Sequence, residues 1–259
     1  MSSDSASPSF GLPPQTELES HPKRVWQIIK WAGEGRLTDG SSASAQFRSY
    51  LTGVHSSDLE RYVAECLSSK FEDAGLALQD LVNEIGSRLE FAVSHGEYRG
   101  SVNKIGFDGL WKLPNNHTIV VEVKTSDVFQ FPLADLAGYR NDLIKRGQIS
   151  REESSILIVV GRSNTEDLES QVRGSRYAWD MRLISVDALI RLLKVRESVE
   201  DPIIVRQIHS ILVPKEFTRL DEIVDTVFSA AEDLNEERAF EFIPIYQGCS
   251  ASPQLIRGL

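Results

Sequence analysis

Residues 104–125 read KIGFDGLWKLPNNHTIVVEVKT, two apolar runs broken by a Pro-Asn-Asn step. Runs of this length, rich in β-branched and aromatic residues and split by turn formers, are expected to pair as a β-hairpin. A three-residue loop at Pro114, Asn115 and Asn116 makes Leu113 the partner of His117. Asn116 then supplies the left-handed conformation that such loops need. In that register Phe107 opposes Val123, Gly109 opposes Val121 and Trp111 opposes Ile119 on one apolar face. Side chains alternate along a strand, so Asp108 falls opposite Glu122 on the other face, with Gly106 opposite Lys124. Two carboxylates roughly 5 Å apart at Cβ repel each other. A neighbouring ammonium offsets part of that repulsion, and a hard divalent cation such as Mg²⁺ offsets more.

Outward from the hairpin, the period changes on both sides. Upstream, Leu78, Leu81, Val82, Ile85 and Leu89 form one stripe, which predicts a helix from Leu76 to Phe91. EYRGS, residues 97–101, is expected to be a first short strand. Downstream, Pro132 opens and Gly147 closes a helix over 133–146, and SSILIVVG, residues 154–161, has the apolar continuity of a buried parallel strand. A polar helix from about Thr165 to Trp179, a strand RLIS and a helix capped by Ser185 follow. The element order from Leu76 is thus α-β-β-β-α-β with an α-β-α extension. Earlier helices are expected near Val25–Trp31 and Ala43–Leu51, and a third is signalled by a capping box with Ser57 as N-cap and Glu60 reaching back.

These elements divide the chain into a Ser- and Pro-rich disordered tail (1–20), a helical region (21–75), an α/β core (76–195) and an acidic helical region (196–259). The net charge of −10 is uneven. Residues 216–241 hold nine Asp or Glu against two Arg, whereas residues 84–182 hold 14 against 13 Lys or Arg. A near-neutral core leaves room for a local basic groove. The N-terminal stretch lacks a signal-peptide layout and no apolar run approaches the roughly 18 residues of a membrane span, so a soluble cytoplasmic protein is expected. Cys66 and Cys249 match no metal or redox spacing, and the five histidines form no ligand cluster. No phosphate-cradling Gly loop, nucleophile elbow or Cys/His zinc pattern is present.

Asp108, thirteen intervening residues and then Glu122-Val123-Lys124, on a hairpin behind a helix, resembles the PD-(D/E)XK nuclease superfamily. The resemblance spans roughly Leu76 to Gly161 and departs from the pattern at Phe107, where the name-giving proline would stand. It implies a restriction-endonuclease-like fold with a mixed sheet in an α-β-β-β-α-β core. It also implies a Mg²⁺-dependent endonuclease acting on DNA, of restriction, defence or repair type, with Mn²⁺ able to replace Mg²⁺. By the same resemblance, Asp108, Glu122 and the main-chain carbonyl of Val123 would hold the metal. Lys124 would position and activate the attacking water. Relatives often add an acid from the first helix, for which Glu84 is the candidate and Glu90 the fallback.

Further nucleic-acid contacts are expected from Thr125 and Ser126 after the site strand, and from Arg162 at the end of the parallel strand. Gln171, Arg173 and Arg176 on the polar helix are candidates too. Two alternatives stand beside the enzyme reading: a nuclease-like binding module without turnover, and a nuclease subunit whose protein partner supplies DNA binding. A homodimer would suit cleavage of both strands.

Overall fold

The computed structural model describes residues 23–98, 105–125, 130, 132–161, 165–199, 201–213, 220–221 and 224. It is a mixed α/β fold. Helices α1 (Val25–Trp31), α2 (Ser42–Thr52), α3 (Ser56–Ser68) and α4 (Ala74–Arg88) precede strands β1 (Ala92–His95), β2 (Gly109–Lys112) and β3 (Thr118–Lys124). Helix α5 (Leu133–Lys145), β4 (Ser154–Val160), α6 (Glu166–Arg173), β5 (Met181–Ser185), α7 (Val186–Ser198) and α8 (Pro202–Leu212) follow. The five strands lie in sequence order, β1-β2-β3-β4-β5. The first three are antiparallel and the last three parallel.

The hairpin takes the register its turn dictates. Gly109 pairs with Val121 and Trp111 with Ile119. Leu113 N–H donates to His117 at 2.8 Å, and Asn116 sits at φ 69°. Antiparallel pairing needs only this tight turn, whereas β4 lies parallel to β3 and is reached through α5. Every residue of β4 is buried, as a central parallel strand covered on both faces requires.

One face of the sheet carries Trp111, Ile119, Val121, Leu157 and Ile184 and packs on α4, α7 and the N-terminal helices. The other carries Val120, Ile156, Ile158 and Leu183 beneath α5 and α6. Trp111 is the largest fully buried side chain, and its Nε1–H donates to Asn83 Oδ1 of α4 at 2.9 Å. Its ring lies on Gly86, where an added Cβ would stand 2.5 Å from the indole. Gly86→Ala therefore forces the indole or α4 to move. A loss of about 1–3 kcal/mol is expected in urea unfolding, despite alanine's better helix propensity.

Four local expectations give way, one of them the polar helix, which ends at Arg173 and not near Trp179, so that Arg176 lies in the turn that follows. The first strand is Ala92–His95, not residues 97–101, of which 99–101 lie outside the described residues. Helix α4 stops at Arg88 because Glu90 adopts φ 67°, which turns the chain out of the helix before Phe91. The cap of α3 is His55, whose side chain accepts from Ser57 N–H, so Ser57 belongs to the first turn. The tail at 1–20 and nearly all of the acidic stretch at 216–241 lie outside the described residues. No helix among the described residues is long and apolar enough to cross a membrane.

Candidate active site

The β2–β3 ladder ends at Gly109 and Val121. One residue earlier the regular pattern breaks, and the break shapes the site. Asp108 N–H donates to Val121 O at 3.0 Å, while its own carboxylate Oδ2 accepts the Val123 N–H at 2.6 Å. A side-chain oxygen thus satisfies a strand donor that the ladder leaves open. Asp108 therefore does not stand in direct ladder opposition to Glu122, as strict alternation requires. Phe107 correspondingly packs with the α5-side cluster, not on the Trp111 face.

Asp108 is clamped from α4 as well. Gln79 Nε2 donates to its Oδ1 at 2.5 Å, and Asn83 Nδ2 donates to its main-chain carbonyl at 2.9 Å. Residues four apart on a helix share a face, so both amides reach the start of β2 together. Gly109 is required here, because an added Cβ would lie 2.2 Å from Asn83 Oδ1. None of these helix donors was among the sequence candidates. Their signal was a polar i, i+4 pair bordering the apolar stripe of α4.

Glu122 is buried on the α5 side of β3, and its Oε1 lies 2.5 Å from Lys124 Nζ. The Lys124 side chain remains 26% exposed, so it is the lysine of the pair that meets solvent at the carboxyl end of β3. Tyr139 of α5 borders the group, close to Glu122, Lys124 and Asp108. Within a strand the N–H and C=O of one residue point to the same flank. The Val123 carbonyl therefore faces the side of β3 on which its N–H meets Asp108, whereas the Lys124 carbonyl faces β4 and accepts from Gly161 N–H at 2.9 Å.

Burial, then the charge of Glu122, raise the Asp108 carboxyl to about 7, against the pull of the Val123 N–H and Lys124. Burial also raises Glu122, with Lys124 opposing it. Burial by itself would lower Lys124, but Glu122 and Asp108 outweigh it and its ammonium is held above the usual range. Two acids that resist ionising together beside an amine that stays charged form a site short of positive charge.

That imbalance has a sign in solution. Folded Asp108 titrates above its unfolded counterpart, so its contribution to stability is fully present below the ordinary aspartate pKa and is lost as pH rises through about 7. With EDTA present, the thermal midpoint should fall between pH 6 and pH 8. Asp108→Asn should make that decline shallower, as a melting series across pH will show.

Not every candidate joins the group. Glu84 is spent on Arg88, 2.8 Å away, in a different cavity lined also by Arg48, Asp80 and His95. Glu90 pairs with Arg196 at 2.8 Å. Helix α6 begins at the site end of the sheet and runs back to the start of β5, beside Ile156 near the start of β4. Gln171, Arg173 and Arg176 therefore lie toward the end of the sheet remote from Lys124. Arg173 pairs there with Glu169 and Arg176 stacks on Tyr177. Thr125 directly follows the site strand and is partly exposed, while Ser126 and Arg162 lie outside the described residues.

Among the described residues, no group of three or more His, Cys, Asp or Glu side chains is placed to hold a metal ion. The available donors are two carboxylates and one carbonyl, a hard oxygen set suited to Mg²⁺ or Mn²⁺, which take the rest of their ligands from water and phosphate. No family model matches the chain, and no curated protein matches it. Among solved structures it is similar to the restriction endonuclease PspGI in complex with substrate DNA, at 12% identity over 81% of each chain and a TM-score of 0.32.

Proposed function

We propose that the chain is a Mg²⁺-dependent nuclease that hydrolyses phosphodiester bonds in DNA, with Mn²⁺ able to replace Mg²⁺. The observation that carries this reading is the grouping of Asp108, whose carboxylate accepts the Val123 N–H, with Glu122 and its ion-pair partner Lys124 at the carboxyl end of β3. Asp108, Glu122 and the Val123 carbonyl would hold the cation, which supplies Lewis acidity toward a phosphoryl oxygen and lowers the pKa of a bound water. The chain's own residues do the rest. Gln79, Asn83 and the Val123 N–H fix Asp108, so no reorganisation is needed when substrate arrives. Lys124, charged and partly exposed, directs N–H donors at an attacking water and offsets charge growing on the phosphate.

Incubation of supercoiled plasmid with the purified chain and Mg²⁺ or Mn²⁺ tests the reading. Nicked or linear product that disappears with EDTA is expected; no cleavage with either ion, by a chain that binds both the ion and DNA, defeats it. A second reading has its own support. With a net charge of −10 and with Arg173 and Arg176 toward the far end of the sheet, DNA binding would fall to a partner subunit or a second copy of the chain. Cation binding accompanied by negligible DNA affinity of the isolated chain favours that version.

A further inference from the structure

Helix α4 carries two acids, and both are turned away from Asp108. Asp80 is 1% exposed and accepts from Arg48 Nε at 2.9 Å and from the Tyr98 hydroxyl. Glu84 is held by Arg88. The helix side chain that does touch the Asp108 carboxylate is an uncharged amide, Gln79. With both acids ionised, the described side chains of the site sum to one negative charge: two carboxylates against the Lys124 ammonium. One divalent cation reverses that to a single positive charge, which one phosphodiester then neutralises. A second divalent cation would leave the site strongly positive without a further carboxylate among the described residues to hold it, and the place where α4 could supply one is filled by Gln79.

We propose that Gln79 is a positioning residue that restricts this centre to one divalent cation by placing a neutral donor, rather than a third carboxylate, against Asp108. The inference rests on the metal-centre reading above. Gln79 fixes one Asp108 oxygen by donating to it, leaving that oxygen's other lone pair, and the one on Oδ2 not taken by the Val123 N–H, for coordination. An acid in its place would accept rather than donate, and would turn the same contact into a bridging ligand pair.

Mn²⁺ titration of the full chain without DNA, followed by calorimetry and by electron paramagnetic resonance, separates the outcomes. The wild type should bind one Mn²⁺ per chain with an isolated-ion spectrum. Gln79→Glu should bind two, with the signature of exchange-coupled ions, a change that a merely structural role for Gln79 would not produce. If Gln79→Glu loses its native circular dichroism, Gln79→Asp carries the same test with a shorter acid. Two ions on the wild type, or a single ion on an acid variant that retains its fold, overturn the inference while leaving the metal centre intact. No Mn²⁺ on the wild type removes the centre itself.

Discussion

Methionine in place of Lys124 will slow plasmid cleavage by about 10²–10³-fold at saturating Mg²⁺, the usual cost of removing one preorganised charge from a developing oxyanion. The fold will survive it. Lys124 sits at the last position of β3, and its stem is replaced by one of similar length, so the strand pairing below it is untouched. What changes is the balance among the three charges. Glu122 loses the ammonium 2.5 Å from its Oε1 and is left with burial and Asp108, both of which favour its protonated form. Divalent binding should therefore weaken as well, most at low pH, because each carboxylate must shed its proton to coordinate. Initial rates measured against Mg²⁺ concentration at pH 6.5 and pH 8.5 check both parts. A variant that cleaves at the wild-type rate removes Lys124 from the mechanism.

Asp108→Asn has the larger effect on binding and an opposite effect on stability. Asparagine keeps an oxygen for the Val123 N–H and fits the same space, but it removes half of the carboxylate donor pair. Mn²⁺ affinity should fall by at least the roughly 10–100-fold that losing an outer-shell partner costs, and cleavage should fall below detection. In EDTA at pH 8 the variant should be more stable than the wild type, by at least about 1 kcal/mol, because a carboxyl raised to about 7 is ionised there against its environment. Gain of stability with loss of function is the mark of a site held in an uncomfortable state for use. Urea unfolding at pH 8 with and without Mg²⁺ measures it; a destabilised variant would show that Asp108 serves the fold alone.

The turn chemistry of Pro114, Asn115 and Asn116 made the hairpin register legible, and with it the proximity of positions 108 and 122. The apolar continuity of residues 154–160 did the same for β4. The kink at Asp108 was hidden because it depends on a carboxylate replacing a ladder acceptor, a choice that only the finished pocket presents. The fate of the α4 acids was hidden for a related reason. Asp80 is claimed by Arg48, 32 residues away, and Arg88 also bonds to the Leu51 and Val54 carbonyls, 37 and 34 residues away. Periodicity marks which residues border a stripe, not which distant partner takes each one. Strand β1 escaped notice because three of its four residues are exposed at the sheet edge, which leaves no alternation to read.

Asn83 spends its two ends on different parts of the molecule: its oxygen on the fully buried Trp111 indole, its amide nitrogen on the main chain of Asp108. The acid of the site is thus tethered to a fully buried indole. Excursions that expose the centre of the fold and excursions that release the acid become one event, so amide protons at 109, 121 and 123 should exchange with deuterium together, at the slow pace of complete unfolding.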